Sequence, residues 1–364
     1  ANSNGDSVSM QRCPNGSGGA RNTNTYAVFS PSYDGANACG GTPTSTGTPT
    51  NTATPTATGT PTNTATTTAT GTPVNVNYTM GNPSNAVTNA TTHPTNYLME
   101  KPQYVLSYHR DRGQAIWVGW HLDTTWLGNT PRQDDFRADP ALPASWPHVQ
   151  DNDYSGTGFD RGHHCPSADR TLTVADNSST FLMTNILPQA PWNNQGPWAA
   201  LESYCNNTLV ESQGKELYIY MGGSGQGGSG SNGGTTNTIP ITGGVMVVPS
   251  ETWKVIMVLD AASGNDVARV TTSTRLIAVR MPNTQVFGNP PGPPWQNYRV
   301  SVDEIEALTG FDFFSNVPVG IQAVIEAIVD NQLVEDWESI PDQYTIDELK
   351  AEREYRKLQE RIFR

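Results

Sequence analysis

Residues 159–170 read FDRGHHCPSADR and concentrate acidic, basic and sulfur-containing side chains in one short stretch. Three kinds of site are compatible with this composition: a metal site, a phosphate site, or a polar loop without chemistry. A zinc site that used His163, His164 and Cys165 together is disfavoured, because adjacent residues of a strand point to opposite faces and cannot all reach one ion. We therefore expect one histidine to face the site and the other to pack on the opposite side of the strand.

Composition separates a folded body from a region that cannot fold by itself. The chain has 364 residues, is 35% hydrophobic and carries a formal net charge of −13. No charged residue occurs from Gly35 to Met99, where Thr, Pro, Gly, Ala and Asn dominate, so this region cannot bury enough apolar surface to offset its ordering entropy. The acidic balance is unusual for a nucleic-acid binder, although a bound divalent cation reverses the local sign of the charge. No apolar run is long enough to predict a membrane span.

Changes in composition predict four regions. Residues 1–40 are rich in Gly, Asn and Ser, and their runs "VSMQRCPNGSGG" and "VFSPSYDGANACG" resemble the end of a lamin-tail-like β domain. Residues 41–92 contain the repeat "GTPTNTATPTAT" (47–58), which indicates an extended, disordered Thr/Pro/Gly-rich linker. Residues 93–334 form the folded body. Residues 335–364 are dense in both charge signs and predict a helical tail that docks on the body or binds a partner.

Strand and helix patterns mix in the body without strict βαβ alternation, which indicates an α+β fold. The runs "YVLSYHR" and "AIWVGWHL", within residues 104–122, predict a strand hairpin. "WAALESYCNNTLVESQG" (198–214) predicts a helix that takes Pro197 in its first turn and stops at Gly214. Asn194 then lies just before the N-terminus of this helix, a position that favours phosphate groups.

The four cysteines fall in two pairs along the chain. Cys13 and Cys39 belong to the N-terminal region, and Cys165 and Cys205 belong to the body. The even count suits an exported protein with one disulfide in each region, Cys13–Cys39 and Cys165–Cys205. The alternative is that all four are free thiols.

Several motifs agree in order and spacing with one known family. They are "DRGH" (160–163), "PSADR" (166–170), "TNI" followed by "PQ" (184–189), and "NQG" followed by "W" and "LE" (194–202). Over residues 97–330 the chain resembles the DNA/RNA non-specific endonuclease family, and within it the secreted cyanobacterial nucleases. This resemblance implies a ββα-metal core of the His-Me finger type, a central antiparallel sheet flanked by helices, with a histidine on a strand and a metal-binding asparagine on the crossing helix.

The resemblance assigns seven polar side chains to the site. Their implied roles are His163 as general base, Asn194 as direct metal ligand, Glu202 as a metal ligand acting through water, Arg161 and Arg132 as phosphate contacts, Asn185 as a residue that orders the site, and Asp160 as support for the motif's geometry. The implied cofactor is Mg²⁺, with Mn²⁺ as a substitute. Cys165–Cys205 would then tie the catalytic strand to the metal-bearing helix.

These roles imply a secreted, metal-dependent endonuclease that cleaves DNA and RNA, single- or double-stranded, and leaves 5′-phosphate ends. A neutral imidazole can accept a proton from water near pH 7, and arginines contact phosphates without reading bases, so little sequence preference is expected. We expect no membrane association, and a protein inhibitor is a candidate partner.

One position departs from the family pattern and supports an alternative. Asn206 stands one helical turn after Glu202, where the family usually carries an arginine. Arg170 and Arg110 are candidates to replace that charge. The alternative is a stalk-displayed nucleic-acid-binding or adhesion protein whose nuclease body has decayed. The intact set of His163, Asn194 and Glu202 argues against it.

Overall fold

The computed structural model places the folded body of the protein in atomic detail. It divides into two compact units, Ala1–Thr72 and Pro73–Arg364. Among the residues it describes, no helix is both long and apolar enough to cross a membrane. The described residues are 9–12, 26–29, 75–262, 264–285 and 294–334.

Strands dominate the described residues, and the helices are short. In chain order the strands are β1 (Ser9–Arg12), β2 (Tyr26–Phe29), β3 (Tyr97–Glu100), β4 (Val105–His109), β5 (Gln114–Leu122), β6 (Asp160–His163), β7 (Ile186–Gln189), β8 (Lys215–Ser224), β9 (Thr238–Ile241), β10 (Gly244–Val247), β11 (Glu251–Asp260), β12 (Arg275–Pro282) and β13 (Arg299–Val300). The α-helices are α1 (Val174–Ser179), α2 (Pro191–Asn193), α3 (Ala199–Ser203), α4 (Asp266–Arg269), α5 (Val302–Thr309) and α6 (Val319–Ile325).

The N-terminal unit contributes one short antiparallel pair, β1 with β2. The predicted lamin-tail-like domain of residues 1–40 otherwise lies outside the described residues, as do Cys13 and Cys39. Most of the predicted linker and all of the predicted charged tail, 335–364, also lie outside them.

The body is built on a seven-stranded antiparallel sheet with the strand order β13-β12-β11-β8-β5-β4-β3. Both faces of the sheet are buried, because alternate residues of β8 enter different apolar clusters. Leu217 and Ile219 join the cluster on one face, and Tyr218 and Tyr220 join the cluster on the other. The structure is therefore α+β with a central antiparallel sheet, as predicted.

Different elements cover the two faces. The first cluster includes Trp198 and Leu201 from the helical segment that follows β7, and the second includes Ile305 of α5 and Ile325 of α6. Met80 is fully buried in the second cluster. Residues 75–92 therefore belong to the folded body, and the linker boundary predicted at residue 92 falls too late in the sequence.

The candidate site is formed by a second, smaller sheet and the helix that follows it. β6 pairs antiparallel with β7, and α2 begins two residues after β7 ends, which gives a ββα unit. Gly162 is required where the strands meet, since a Cβ there would lie 2.2 Å from Gln189 Oε1 and 2.6 Å from Gln189 Cβ.

The helical segment after β7 begins earlier than the sequence predicts. It starts at Pro191, which occupies the first turn of α2, and continues through a π-helical turn over Asn194–Trp198. Pro197 lies inside this wide turn, next to Gly196, whose backbone is non-helical (φ −112°, ψ −111°). Asn194 therefore lies within the helical segment, and its predicted place just before a helix N-terminus is wrong. The segment ends as predicted at Gly214, which has φ +61°.

The predicted disulfide within the body is absent. Cys165 and Cys205 are both free thiols and belong to the same apolar cluster. Burial raises the pKa of each thiol to about 12. An even cysteine count permits pairing but does not fix the distance or direction of two side chains, and here both act as small core residues.

Candidate active site

His163 ends β6 and packs against two aromatic rings that also contact each other. Its ring centroid lies 5.0 Å from that of Phe181 in an edge-on arrangement and 5.5 Å from that of Phe136. Its Nε2 atom is buried and has no hydrogen-bond partner. Burial first, and then the charges of Arg132 and Arg161, hold the pKa of His163 well below its ordinary value. The imidazole is therefore neutral near pH 7, with a nitrogen able to accept a proton.

Arg161 lies on the same strand as His163 and covers one of these rings. Its guanidinium carbon lies 4.1 Å from the centroid of Phe136. One guanidinium nitrogen donates to Asp151, whose side chain is 49% exposed. An ion pair this exposed contributes little free energy, so an incoming phosphate can replace the carboxylate.

Arg132 occupies the corresponding place on the other ring. Its guanidinium carbon lies 4.9 Å from the centroid of Phe181. Its Nε donates to Asp134 at 2.7 Å, and Nη1 donates to Ser167 Oγ at 2.9 Å. The two predicted phosphate-contacting arginines thus each lie over a ring that also contacts the imidazole.

Asp160 connects the strand to the helical segment. It is buried, and its Oδ2 accepts hydrogen bonds from Asn194 Nδ2 at 2.9 Å and from Gln195 Nε2 at 2.7 Å. Because the amide nitrogen of Asn194 is directed to Asp160, its carbonyl oxygen points away and is the atom available to a metal. Asp160 therefore orients the predicted ligand.

Glu202 is paired with a lysine that motif comparison did not single out. Lys254 Nζ, from β11, donates to Glu202 Oε1 at 3.1 Å. The lysine side chain is 1% exposed and lies below the rings of Trp198 (4.5 Å) and Trp120 (5.5 Å). Burial raises the pKa of Glu202, and Lys254 opposes that shift. The signal in the sequence was a single lysine within the apolar run "WKVIMVLD".

Asn185 is a buried residue that hydrogen-bonds the backbone after β6 and before β7. Its Oδ1 accepts from the Cys165 backbone N–H at 3.0 Å, and its Nδ2 donates to the Cys165 and Thr180 carbonyls, each at 2.9 Å. Its own carbonyl accepts from the backbone N–H of His164 at 2.8 Å. Asn185 is fully buried, so it holds the end of β6 in place and does not contact substrate directly.

His164 lies in the protein interior. It is fully buried, and its Nδ1 is 2.9 Å from the Asn185 carbonyl. Burial lowers the pKa of His164 to about 4. Of the adjacent pair, His163 is the histidine that is partly exposed.

The side chain of Asn206 hydrogen-bonds a residue in the protein interior. Its Nδ2 donates to Asp169 Oδ1 at 2.9 Å, and the other oxygen of Asp169 accepts from Trp120 Nε1 at 2.9 Å. Arg170 does not replace the missing cation, because it is fully buried and donates to the carbonyls of Gln103 and His121.

Arg110, the other candidate for that role, lies in the turn after β4. It pairs with the neighbouring Asp111 at 2.7 Å. The buried cation that the structure brings to the helical segment is Lys254.

The predicted residues thus form three linked groups. The first is His163 with the two arginines, which contact the same two phenylalanine rings. The second is Asp160 with Asn194, and the third is Glu202 with Lys254. The strand β6 joins the first two groups, since Asp160, Arg161 and His163 are within four consecutive residues. The helical segment joins the second and third. Asn194 and Glu202 contribute carbonyl and carboxylate oxygens, the donors that hard divalent cations prefer.

Comparison with known proteins places the chain in a family. Residues 81–320 match the family model for the DNA/RNA non-specific endonucleases. A nuclease of Nostoc sp. is 50% identical over 256 residues, which cover 70% of this chain and 86% of that protein. Human mitochondrial endonuclease G is 30% identical over 224 residues, covering 60% of this chain and 70% of that protein. A crystal structure of an EndoG/EndoGI complex shares the fold, with a TM-score of 0.53 and 23% identity over 69% of this chain and 95% of that one.

Proposed function

The chain belongs to the DNA/RNA non-specific endonuclease family and is an endonuclease, and on that basis we propose how its residues hydrolyse a phosphodiester bond. His163 acts as the general base, Arg161 and Arg132 bind the scissile phosphate, and Asn194 and Glu202 would hold one divalent metal ion. The substrates are DNA and RNA, single- or double-stranded, and the products carry 5′-phosphate ends. The alternative of a binding protein with a decayed nuclease body is the less favoured function.

The state of His163 is the observation that carries this proposal. The nucleophilic water must lose a proton, and the acceptor has to be neutral at the working pH. The low pKa of His163 and its partial exposure at the end of β6 supply such an acceptor. The rings of Phe136 and Phe181 restrict how the imidazole can turn.

The two arginines supply positive charge where the phosphate gains negative charge in the transition state. Guanidinium groups bind phosphate oxygens through paired N–H donors and do not read the bases. Stacking on Phe136 and Phe181 fixes their planes before substrate arrives, so less side-chain freedom is lost on binding. This arrangement supports cleavage with little sequence preference.

The donor atoms fit the metal that the family requires. Asn194 and Glu202 would hold Mg²⁺, or Mn²⁺ in its place, and the ion would supply charge neutralisation at the phosphate and support for the leaving oxygen. Asp160 keeps the amide of Asn194 turned so that its oxygen is presented. Lys254 opposes the rise in the pKa of Glu202 that burial causes, and so favours the ionised carboxylate that a ligand or water-binding role requires.

Two further properties concern where the protein acts and what binds it. We propose that the protein is secreted, because Thr/Pro-rich repeats such as the one in residues 41–92 are typical of exported stalks. Fractionation of cells that express the natural gene, followed by detection of the chain, tests this. We also propose a protein inhibitor as a partner, since EndoG, which shares the fold, is inhibited in its complex with EndoGI.

Plasmid nicking with and without EDTA tests the function. We expect nicking in Mg²⁺ and none in EDTA, with cleavage of both a DNA plasmid and an RNA transcript. His163→Ala is expected to slow nicking by roughly 10²–10⁴-fold, the usual contribution of a general base. His93→Ala is the matched control, since His93 is exposed and bonds its neighbour Thr92. Metal-independent nicking, or full activity in His163→Ala, would refute the proposed roles, and binding without cleavage would favour the alternative.

A further inference from the structure

Three acidic side chains converge at the junction of α5 and α6, outside the candidate active site. Asp303 and Glu306 lie three residues apart on α5 and share one face of that helix. Glu326 follows α6 directly, and its carbonyl accepts a hydrogen bond from the Asp303 backbone N–H at 3.1 Å. One carboxylate oxygen from each of the three lies within 4.8 Å of the other two.

The burial of Glu326 distinguishes this group from a cluster of exposed acidic residues. The residue is only 4% exposed, and its Oε1 is buried without a hydrogen-bond partner. Burial first, and then the charges of Glu306, Asp303 and Asp312, raise the pKa of Glu326 to about 8. A buried carboxylate without a partner is costly unless a cation or a proton neutralises it.

We infer that Asp303, Glu306 and Glu326 form a second cation site, which binds a hard divalent ion of the Ca²⁺ type. Carboxylate oxygens are the ligands that Ca²⁺ prefers, and its coordination of about six to eight oxygens in flexible geometry leaves places for water. The three residues grade from exposed Asp303 through partly buried Glu306 to buried Glu326, so the site is open to solvent on one side.

The chain already orients one of these ligands. Glu306 Oε1 accepts a hydrogen bond from the Phe313 backbone N–H at 2.7 Å, which ties its carboxylate to the loop after α5. Ile305, Phe313 and Ile325 belong to the apolar cluster that covers the second face of the sheet. An ion between Glu306 and Glu326 would therefore hold α5 and the end of α6 together over that face of the sheet. We expect it to affect stability and not hydrolysis.

Thermal unfolding of the full chain in increasing Ca²⁺, with calorimetric titration of Ca²⁺, tests the inference. Linkage predicts a rise in Tm of about 5 °C or more when Ca²⁺ exceeds its Kd by about 100-fold. Asn194→Ala removes a donor of the active-site metal, and we expect it to keep this Ca²⁺ shift. Glu326→Gln keeps the shape of the side chain but cannot ionise, and we expect it to abolish the shift while plasmid nicking in Mg²⁺ stays unchanged.

Two results would overturn the inference. One is a wild-type chain whose Tm does not respond to Ca²⁺, and the other is a full response in Glu326→Gln. If Glu326→Gln does not fold, Asp303→Asn replaces it, since that side chain is exposed. Asp303→Asn should raise the Kd for Ca²⁺ by at least about tenfold, and an unchanged Kd would equally contradict the site.

Discussion

Lys254→Met isolates the buried ion pair beside the candidate metal site. Lys254 is 1% exposed and Glu202 is 23% exposed, and 3.1 Å separates Nζ from Oε1. Methionine keeps most of the length of the side chain below Trp198 and Trp120 while it removes the charge. The carboxylate of Glu202 is then left buried without its partner.

The structure sets the size of the effect. Breaking a buried pair by removing one partner destabilises a protein by about 3–5 kcal/mol, and we expect the lower end because Glu202 keeps some contact with solvent. The alternative open to Glu202 is to take up a proton, at about 1.4 kcal/mol per unit of pKa change. Lys254 lowers the pKa of Glu202 against the effect of burial, so the pKa must rise in the variant.

Two assays measure the consequences. Urea unfolding of the wild type, Lys254→Met, Glu202→Gln and the double variant gives the coupling free energy of the pair. Nicking rates across pH give the second readout: because Glu202 must be ionised to hold the metal, activity in Lys254→Met should be low at pH 7 and recover as the pH rises. The role given to Lys254 would be refuted by two results together. The unfolding free energies of the two single variants would add up in the double variant, and the nicking rate of Lys254→Met would fall at the same acidic pH as that of the wild type.

Three further predictions follow from buried groups. Gly162→Ala should destabilise the ββα unit by about 1–3 kcal/mol and reduce nicking, because its Cβ would meet Gln189, and urea unfolding with a nicking assay would show it. Alkylation without a reductant, read by peptide mass spectrometry, should modify Cys165 and Cys205 only after denaturation; failure to modify either in denatured chain would mean that they are oxidised. In Ca²⁺-free buffer, Glu326 keeps its proton in the folded state up to about pH 8 but loses it at its ordinary value of 4.5 when unfolded, so stability should fall as pH rises across that window. Urea midpoints at several pH values should show a flatter profile in Glu326→Gln, and an identical profile would contradict this.

Local sequence patterns determined most of the sheet and the identity of the family. The apolar runs within residues 104–122 predicted a hairpin, and β4 and β5 form it as an antiparallel pair in the main sheet. The order of the DRGH motif and the motifs after it predicted the family, which the match over residues 81–320 confirms. The signals that bound α5 are also local, since Ser301 accepts from the Glu304 backbone N–H and Gly310 ends the helix with φ +73°.

Tertiary structure decided what depends on contacts between distant residues. Lys254 is separated from Glu202 by 52 positions, so no local pattern could pair them. The start of the helical segment depends on a π turn that absorbs Pro197, whereas propensity rules place a proline at the first turn. Whether Cys165 and Cys205 bond depends on the packing around both thiols, which cysteine counting does not measure. Periodicity and motif order are local and survive in the sequence, but charge pairing, burial and the resulting pKa values exist only once the chain has folded.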